Sequence, residues 1–203
     1  MCKKQYSMLA VILVLCGFAR GGDEFDSYDV LLEFKGAYFL PTNETFRHIY
    51  DNGGALYGPE VTFEFCNSVY GFFSLDFFQK NGNSLGICSP TQITLVPIGM
   101  GFKYLVPFCF GDFYVGLGFQ PTYVQITNCS PCVIAEESTW GFGGIAKVGT
   151  FFNLPCNLFL DIFIDYSFLN VCFNGLCPAT GPVVPNKAHV SGTIFGAGLG
   201  YRF

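Results

Sequence analysis

Ten cysteines in 203 residues are the first chemistry this chain offers. Cys2 and Cys16 fall near the start; the others are Cys66, Cys88, Cys109, Cys129, Cys132, Cys156, Cys172 and Cys177. The Cys129-x-x-Cys132 and Cys172-x₄-Cys177 spacings suit zinc, but no histidine stands near them, and an exported chain meets an oxidising compartment. The two histidines are His48 and His189. Ser191 shares a strand face with His189, a spacing common by chance and short of a nucleophile held by its base. Asp161 and Asp165 lie ~13 Å apart along a strand, too far to share a reacting atom. Gly141-Phe142-Gly143-Gly144 and Gly196-x-Gly198-x-Gly200 lack the strand-to-helix turn of a phosphate loop. The chain therefore reads as non-enzymatic, with no cofactor and no metal.

The thiols matter through the elements that place them. The chain is 51% hydrophobic and 18% aromatic but 12% charged, against about 25% charged in a typical soluble domain. Residues 1–19 have the form of a secretory signal. Lys3 and Lys4 precede the apolar run Met8 to Leu15, and Gly17 and Ala19 are small residues at a cleavage position. Leu15 is too bulky for lipid attachment at Cys16. Removing the leader leaves eight basic against fifteen acidic side chains, a charge of −7, with no basic stripe for nucleic acid. No apolar run is long enough for a spanning helix, so membrane residence requires a closed barrel over residues 20–203.

Eight strands are predicted, over residues 28–40, 58–65, 70–79, 91–105, 112–124, 140–151, 158–168 and 188–203. Their connections alternate long (41–57, 80–90, 125–139, 169–187) and short (66–69, 106–111, 152–157), as in an antiparallel up-and-down transmembrane β-barrel with short periplasmic turns. Pro97 cannot donate to a ladder and predicts a bulge or register change in the fourth strand. Along the last strand, Thr193, Phe195, Ala197, Leu199, Tyr201 and Phe203 share one face, and Ile194, Gly196, Gly198, Gly200 and Arg202 the other.

Parity alone does not say which face points outward. A soluble lipocalin-like carrier would place the apolar face inside. The low charge, the glycine-rich polar face and the near balance of its charges favour the reverse. Glu33, Glu64, Asp76, Asp161 and Asp165 are expected in the lumen against Lys35, Lys103, Lys147 and Arg202, since buried charges must pair. Tyr28, Tyr104, Tyr201 and Phe203 fit an inner aromatic girdle; Tyr123, Trp140 and Tyr166 fit an outer one.

Five pieces carry a family resemblance: Phe34-Lys35-Gly36-Ala37-Tyr38-Phe39-Leu40-Pro41, Tyr57-Gly58-Pro59-Glu60, Gly101-Phe102-Lys103-Tyr104, Tyr114-Val115-Gly116-Leu117-Gly118 and Gly200-Tyr201-Arg202-Phe203. Across residues 28–203 the chain resembles the small eight-stranded bacterial outer-membrane barrels, the OmpA-, OmpW- and opacity-type proteins. The resemblance implies an all-β fold and a cell outer membrane. It also implies lipid and the barrel-assembly machinery as partners, with Tyr201 and Phe203 as the assembly signal. The cysteine count resembles the cysteine-rich envelope proteins of chlamydia-like bacteria, whose outer membranes are disulfide cross-linked.

Under this topology Cys66, Cys109 and Cys156 fall at the periplasmic turns and Cys88, Cys129, Cys132, Cys172 and Cys177 in outer loops. The two ends are ~25 Å apart, beyond the reach of a disulfide. Both groups are odd, so intrachain pairing leaves a thiol at each end free or bonded to another molecule. Cys172 with Cys177, and Cys88 with Cys129 or Cys132, are expected staples; disulfide-linked envelope proteins are expected partners. The anticipated role is structural and adhesin-like, with a possible host surface ligand at loop one through Phe46, Arg47, His48 and Tyr50. A conduit for small hydrophobic molecules is the alternative.

Overall fold

A strand that is apolar on one side and polar on the other must hide one face, and every strand edge left unpaired exposes unsatisfied amides. Closing the sheet on itself answers both demands. The computed structural model describes residues 29–50, 52–66, 68–83, 90–128, 136–173 and 186–203. The expected leader lies outside them, as do Tyr28, Cys88, Cys129, Cys132 and Cys177.

The described elements are β1 (Val30–Pro41), α1 (Glu44–Tyr50), β2 (Gly54–Cys66), β3 (Val69–Leu75), β4 (Phe77–Asn83) and β5 (Pro90–Phe108). After them come β6 (Gly111–Phe119), β7 (Thr122–Asn128), β8 (Glu136–Asn153), β9 (Leu158–Phe173), β10 (Asn186–His189) and β11 (Gly192–Arg202). Three pairs, β3/β4, β6/β7 and β10/β11, each form one interrupted wall strand, so the ring has eight. It closes antiparallel where β1 meets β11, in register from Leu31↔Arg202 to Pro41↔Gly192. The architecture is the eight-stranded antiparallel barrel that the alternating connections predict. Several strands run longer than the sequence indicates, notably β8 and β9 at the long-loop end and β5 at the short-turn end.

Pro97 acts on its neighbours and not on its own strand. β5 runs through it, and its register is unchanged on both sides, from Leu75↔Ile98 to Phe78↔Leu95 and from Met100↔Phe119 to Pro97↔Thr122. The Asp76 amide donates to the Pro97 carbonyl at 3.0 Å, and the return bond is missing because proline has no N–H. Ile98 donates to the Pro121 carbonyl at 2.8 Å with the same one-sidedness. The wall strands therefore break at Asp76 and at Gln120–Pro121, and the expected bulge in β5 is replaced by gaps beside it.

The apolar face points out. Phe34, Phe102, Leu117, Phe142, Ile164 and Leu199 are all more than half exposed, while Glu33, Lys35, Lys103, Asp161 and Asp165 are buried. This is the reverse of a soluble carrier. The interior has three layers. Leu31, Leu105, Phe151 and Phe159 are buried toward the short turns, charges fill the middle, and above them, toward the long loops, Phe39, Leu56, Phe78, Ile93, Leu95 and Val124 form an apolar cluster.

α1 caps that cluster. The Asn43 side-chain oxygen accepts the amides of Thr45 (2.8 Å) and Phe46 (3.3 Å), an N-cap that starts the helix inside the long first connection. Gly53, at φ +106, then turns the chain into β2, where any Cβ would strike the Phe39 carbonyl.

Candidate functional site

The lumen is organised around Glu60. Alternation along β2 turns Glu60 and Thr62 inward, opposite Val61 and Phe63. Glu60 Oε2 lies 3.0 Å from Lys35 Nζ and 2.9 Å from Lys147 Nζ, and its other oxygen pairs with Lys103. Lys147 also meets Asp165 at 2.9 Å, and Lys35 meets Glu33 at 3.4 Å and Asp161 at 3.6 Å. The Tyr114 hydroxyl donates to Asp161 at 3.0 Å. Aromatic faces cover the ammonium groups: Lys35 stands 4.4 Å from the Phe163 ring centre and Lys103 4.5 Å from that of Tyr114. None of these three lysines is more than 4% exposed. The cluster can neutralise charge and seal the lumen; it holds no attacking group beside a base.

Two residues expected in this network lie elsewhere. Arg202 sits at the short-turn end, 2.9 Å from Asp112 and 3.4 Å from Asp29. Glu64 is near it, lining a cavity of about 300 Å³ with Ser68, Tyr70, Leu105, Pro107 and Asp112. β2 explains the separation: Glu60 and Glu64 share a face, but four residues of rise (~13 Å) carry one to the centre and leave the other at the mouth. Asp76 is buried at the break between β3 and β4. Glu60, absent from the expected network, was detectable by its parity with Glu64. Asp29 lies before β1; burial pushes its carboxyl above the ordinary range, against the pull of Arg202.

The short-turn end also carries the thiols. Cys66, Cys109 and Cys156 are free and exposed, one beside each of the three turns. Cys172 lies in β9, paired with Lys187, and not in a loop as expected. Its expected partner Cys177 lies outside the described residues, as do the other outer-loop cysteines. His189 Nδ1 is 2.5 Å from Asn170 Oδ1, and Ser191 Oγ accepts the Leu169 amide at 3.2 Å, so neither faces the other as base and nucleophile. Tyr104, Tyr201 and Phe203 are exposed at the short-turn end.

At the long-loop end the expected loop-one patch divides. Phe46 and Tyr50 turn inward, Phe46 edge-on to Phe39 at 6.3 Å and 4.9 Å from Tyr50. Burial pushes the Tyr50 hydroxyl up. His48 stays exposed, and Arg47 is half-buried. Beneath this cap the apolar layer encloses only about 20 Å³ between Phe39, Leu95, Leu169 and Val190.

On the outside of the same end, β4, β5, β7 and β8 carry side chains in horizontal rows. Phe77 stands beside the first row, in which Val96, Tyr123 and Trp140 are in register; the last two rings are 5.5 Å apart. Above it Gln79, Thr94, Gln125 and Ser138 are in register, and above them Asn81, Gln92, Thr127 and Glu136.

No family model matches the chain, and no curated protein does. The similar solved structures are small outer-membrane barrels. The outer membrane protein OprG of Pseudomonas aeruginosa shares 15% identity over 86% of this chain and 95% of its own, with a TM-score of 0.63. The Escherichia coli outer membrane protein W shares 12% over 89% and 100%, at 0.58. Ail, the attachment invasion locus protein of Yersinia pestis, in complex with the heparin analogue sucrose octasulfate, shares 14% over 87% and 97%, at 0.52. The fold is that of the small eight-stranded outer-membrane barrels.

Proposed function

We propose that this chain is exported by a cleaved leader and resides in the outer membrane as a sealed structural barrel acting through its two ends. The observation that carries the reading is the inversion itself: an apolar exterior around a lumen in which Glu60 binds three lysines across the full width of the barrel. Soluble folding gives no reason for such a wall, and a water channel gives no reason for such a filling. The reading is non-enzymatic.

The outer end makes surface contacts, in an adhesin-like role supported by the likeness to a barrel whose own name is that of an attachment protein. The inner end is linked by disulfides to envelope neighbours. Neighbouring turns are two wall strands apart, about 10 Å, so Cys66, Cys109 and Cys156 do not reach one another without backbone movement. Reconstitution in planar bilayers tests the sealed core: no steady conductance is expected, and an open pore would overturn it.

A second reading has one specific observation in its favour. The apolar upper layer lies against the broken ladders at Asp76 and Pro121, which suits passage of small hydrophobic molecules into the membrane. The cap of Phe46 and Tyr50 and the 20 Å³ gap weigh against it in this state. Uptake of an apolar dye into proteoliposomes separates the two.

A further inference from the structure

The exterior of β4, β5, β7 and β8 changes character abruptly. The aromatic row ends the apolar belt, and the next eight outward positions in register are amides, hydroxyls and one carboxylate, Glu136. Outward strand positions repeat every two residues, so the two polar rows stand about 7 Å apart and begin about 7 Å above the aromatic row. They are knitted sideways: Gln92 donates to Asn81 at 2.8 Å, Gln79 to Thr94 at 3.5 Å, and Gln125 to Glu136. Much capacity remains, because each carboxamide has two donors and two acceptor lone pairs.

We infer that these two rows bind the sugar headgroups of glycolipids in the outer leaflet, a proposal that rests on the membrane reading above. Three features select this occupant. The polar rows continue the lipid-facing surface on the same strands without a turn or groove between them, so a lipid whose tails lie on the belt carries its head to the rows. The rows contain no lysine or arginine and one carboxylate, which offers an anionic phosphate no partner charge and suits neutral hydroxyls. Trp140 and Tyr123 stand at the boundary, where an amphipathic ring has one apolar and one wet side.

The test is native mass spectrometry of the purified chain in micelles containing equal amounts of diglucosyl diacylglycerol and phosphatidylethanolamine of matched tails. The glycolipid should be retained over the zwitterionic lipid by about fivefold, the scale of one net hydrogen bond. A Gln79→Ala, Gln92→Ala, Gln125→Ala variant should lose that preference while keeping its mobility shift on boiling in SDS. Equal retention of both lipids, or a preference untouched by the variant, overturns the inference. Self-association that depends on the rows would do so too, by assigning them to a second copy. Loss of the boiling shift in the parent chain would instead remove the membrane reading beneath it. If the triple variant alone fails to fold, Gln79→Ala and Gln125→Ala are read singly for a graded loss.

Discussion

Lys147 Nζ lies 2.9 Å from Glu60 Oε2, a contact between residues 87 positions apart whose wall strands stand opposite each other in the ring. One carboxylate thereby ties β2 to β8 across the lumen while also holding Lys35 and Lys103. Glu60→Ala takes from three buried ammonium groups the carboxylate they share, leaving Lys147 to Asp165, Lys35 to Glu33 and Asp161, and Lys103 to Glu33 at 3.8 Å. Breaking a buried pair from one side costs about 3–5 kcal/mol, so the urea midpoint of the barrel in micelles should fall accordingly. Combining Glu60→Gln with Lys147→Met should recover much of it, since removing both partners leaves less uncompensated charge. A midpoint unmoved by Glu60→Ala would mean that water or counter-ions already screen the lumen.

The cap over the apolar layer makes a separate prediction. Phe46 presses on Phe39 and Tyr50, and Phe46→Ala removes a buried ring of the kind that costs about 3 kcal/mol in a well-packed core. The loss should be local, because α1 rests on the long-loop ends of β1 and β4 and takes no part in the ladders of the wall. Limited proteolysis within residues 42–53 should quicken severalfold, while the boiling shift of the barrel is retained. Equal protease resistance in the variant would show that the cap does not depend on this ring.

The barrel was legible because an apolar exterior around a narrow filled lumen imposes period two on nearly every strand, and Phe34, Leu117, Ile164 and Leu199 report one side throughout. Less legible was what depends on height along the barrel. Parity puts Glu60, Glu64 and Arg202 on the inner face together, but only the rise along each strand separates the centre from the mouth. Loop one misled for a related reason: Phe46 and Tyr50 look like surface aromatics until Asn43 caps a helix that rolls them inward. Pro97 misled because a proline's missing donor is felt by the strand it faces, here at Asp76.

The inner thiols predict a sidedness. Cys66, Cys109 and Cys156 are exposed at one end. In intact cells a membrane-impermeant maleimide should leave them unlabelled, and permeabilising the outer membrane should expose whatever fraction is not disulfide-bonded. Alkylated, non-reducing gels should show higher species that a thiol reductant collapses, and the Cys66→Ser, Cys109→Ser, Cys156→Ser variant should abolish those formed through this end. Monomer alone would remove the covalent link from the proposed function.

The inner mouth offers a pH test with a definite sign. Burial raises the Asp29 carboxyl above its reference of 3.8, so the folded chain holds this proton more tightly than the unfolded one. A raised acid stabilises the fold most at low pH, and that contribution falls as pH climbs through the ordinary carboxylate value, until it levels off above the folded one. Asp29→Asn should therefore be neutral to slightly stabilising at neutral pH and should flatten this limb of the urea midpoint against pH. Asp112→Asn should behave oppositely at neutral pH, costing about 1 kcal/mol, because it removes the charge-assisted bond to Arg202 on the strand that closes the barrel. If Asp29→Asn proved the more damaging of the two, attraction to Arg202 would outweigh burial at that carboxyl, and the assignment of roles at this mouth would be reversed.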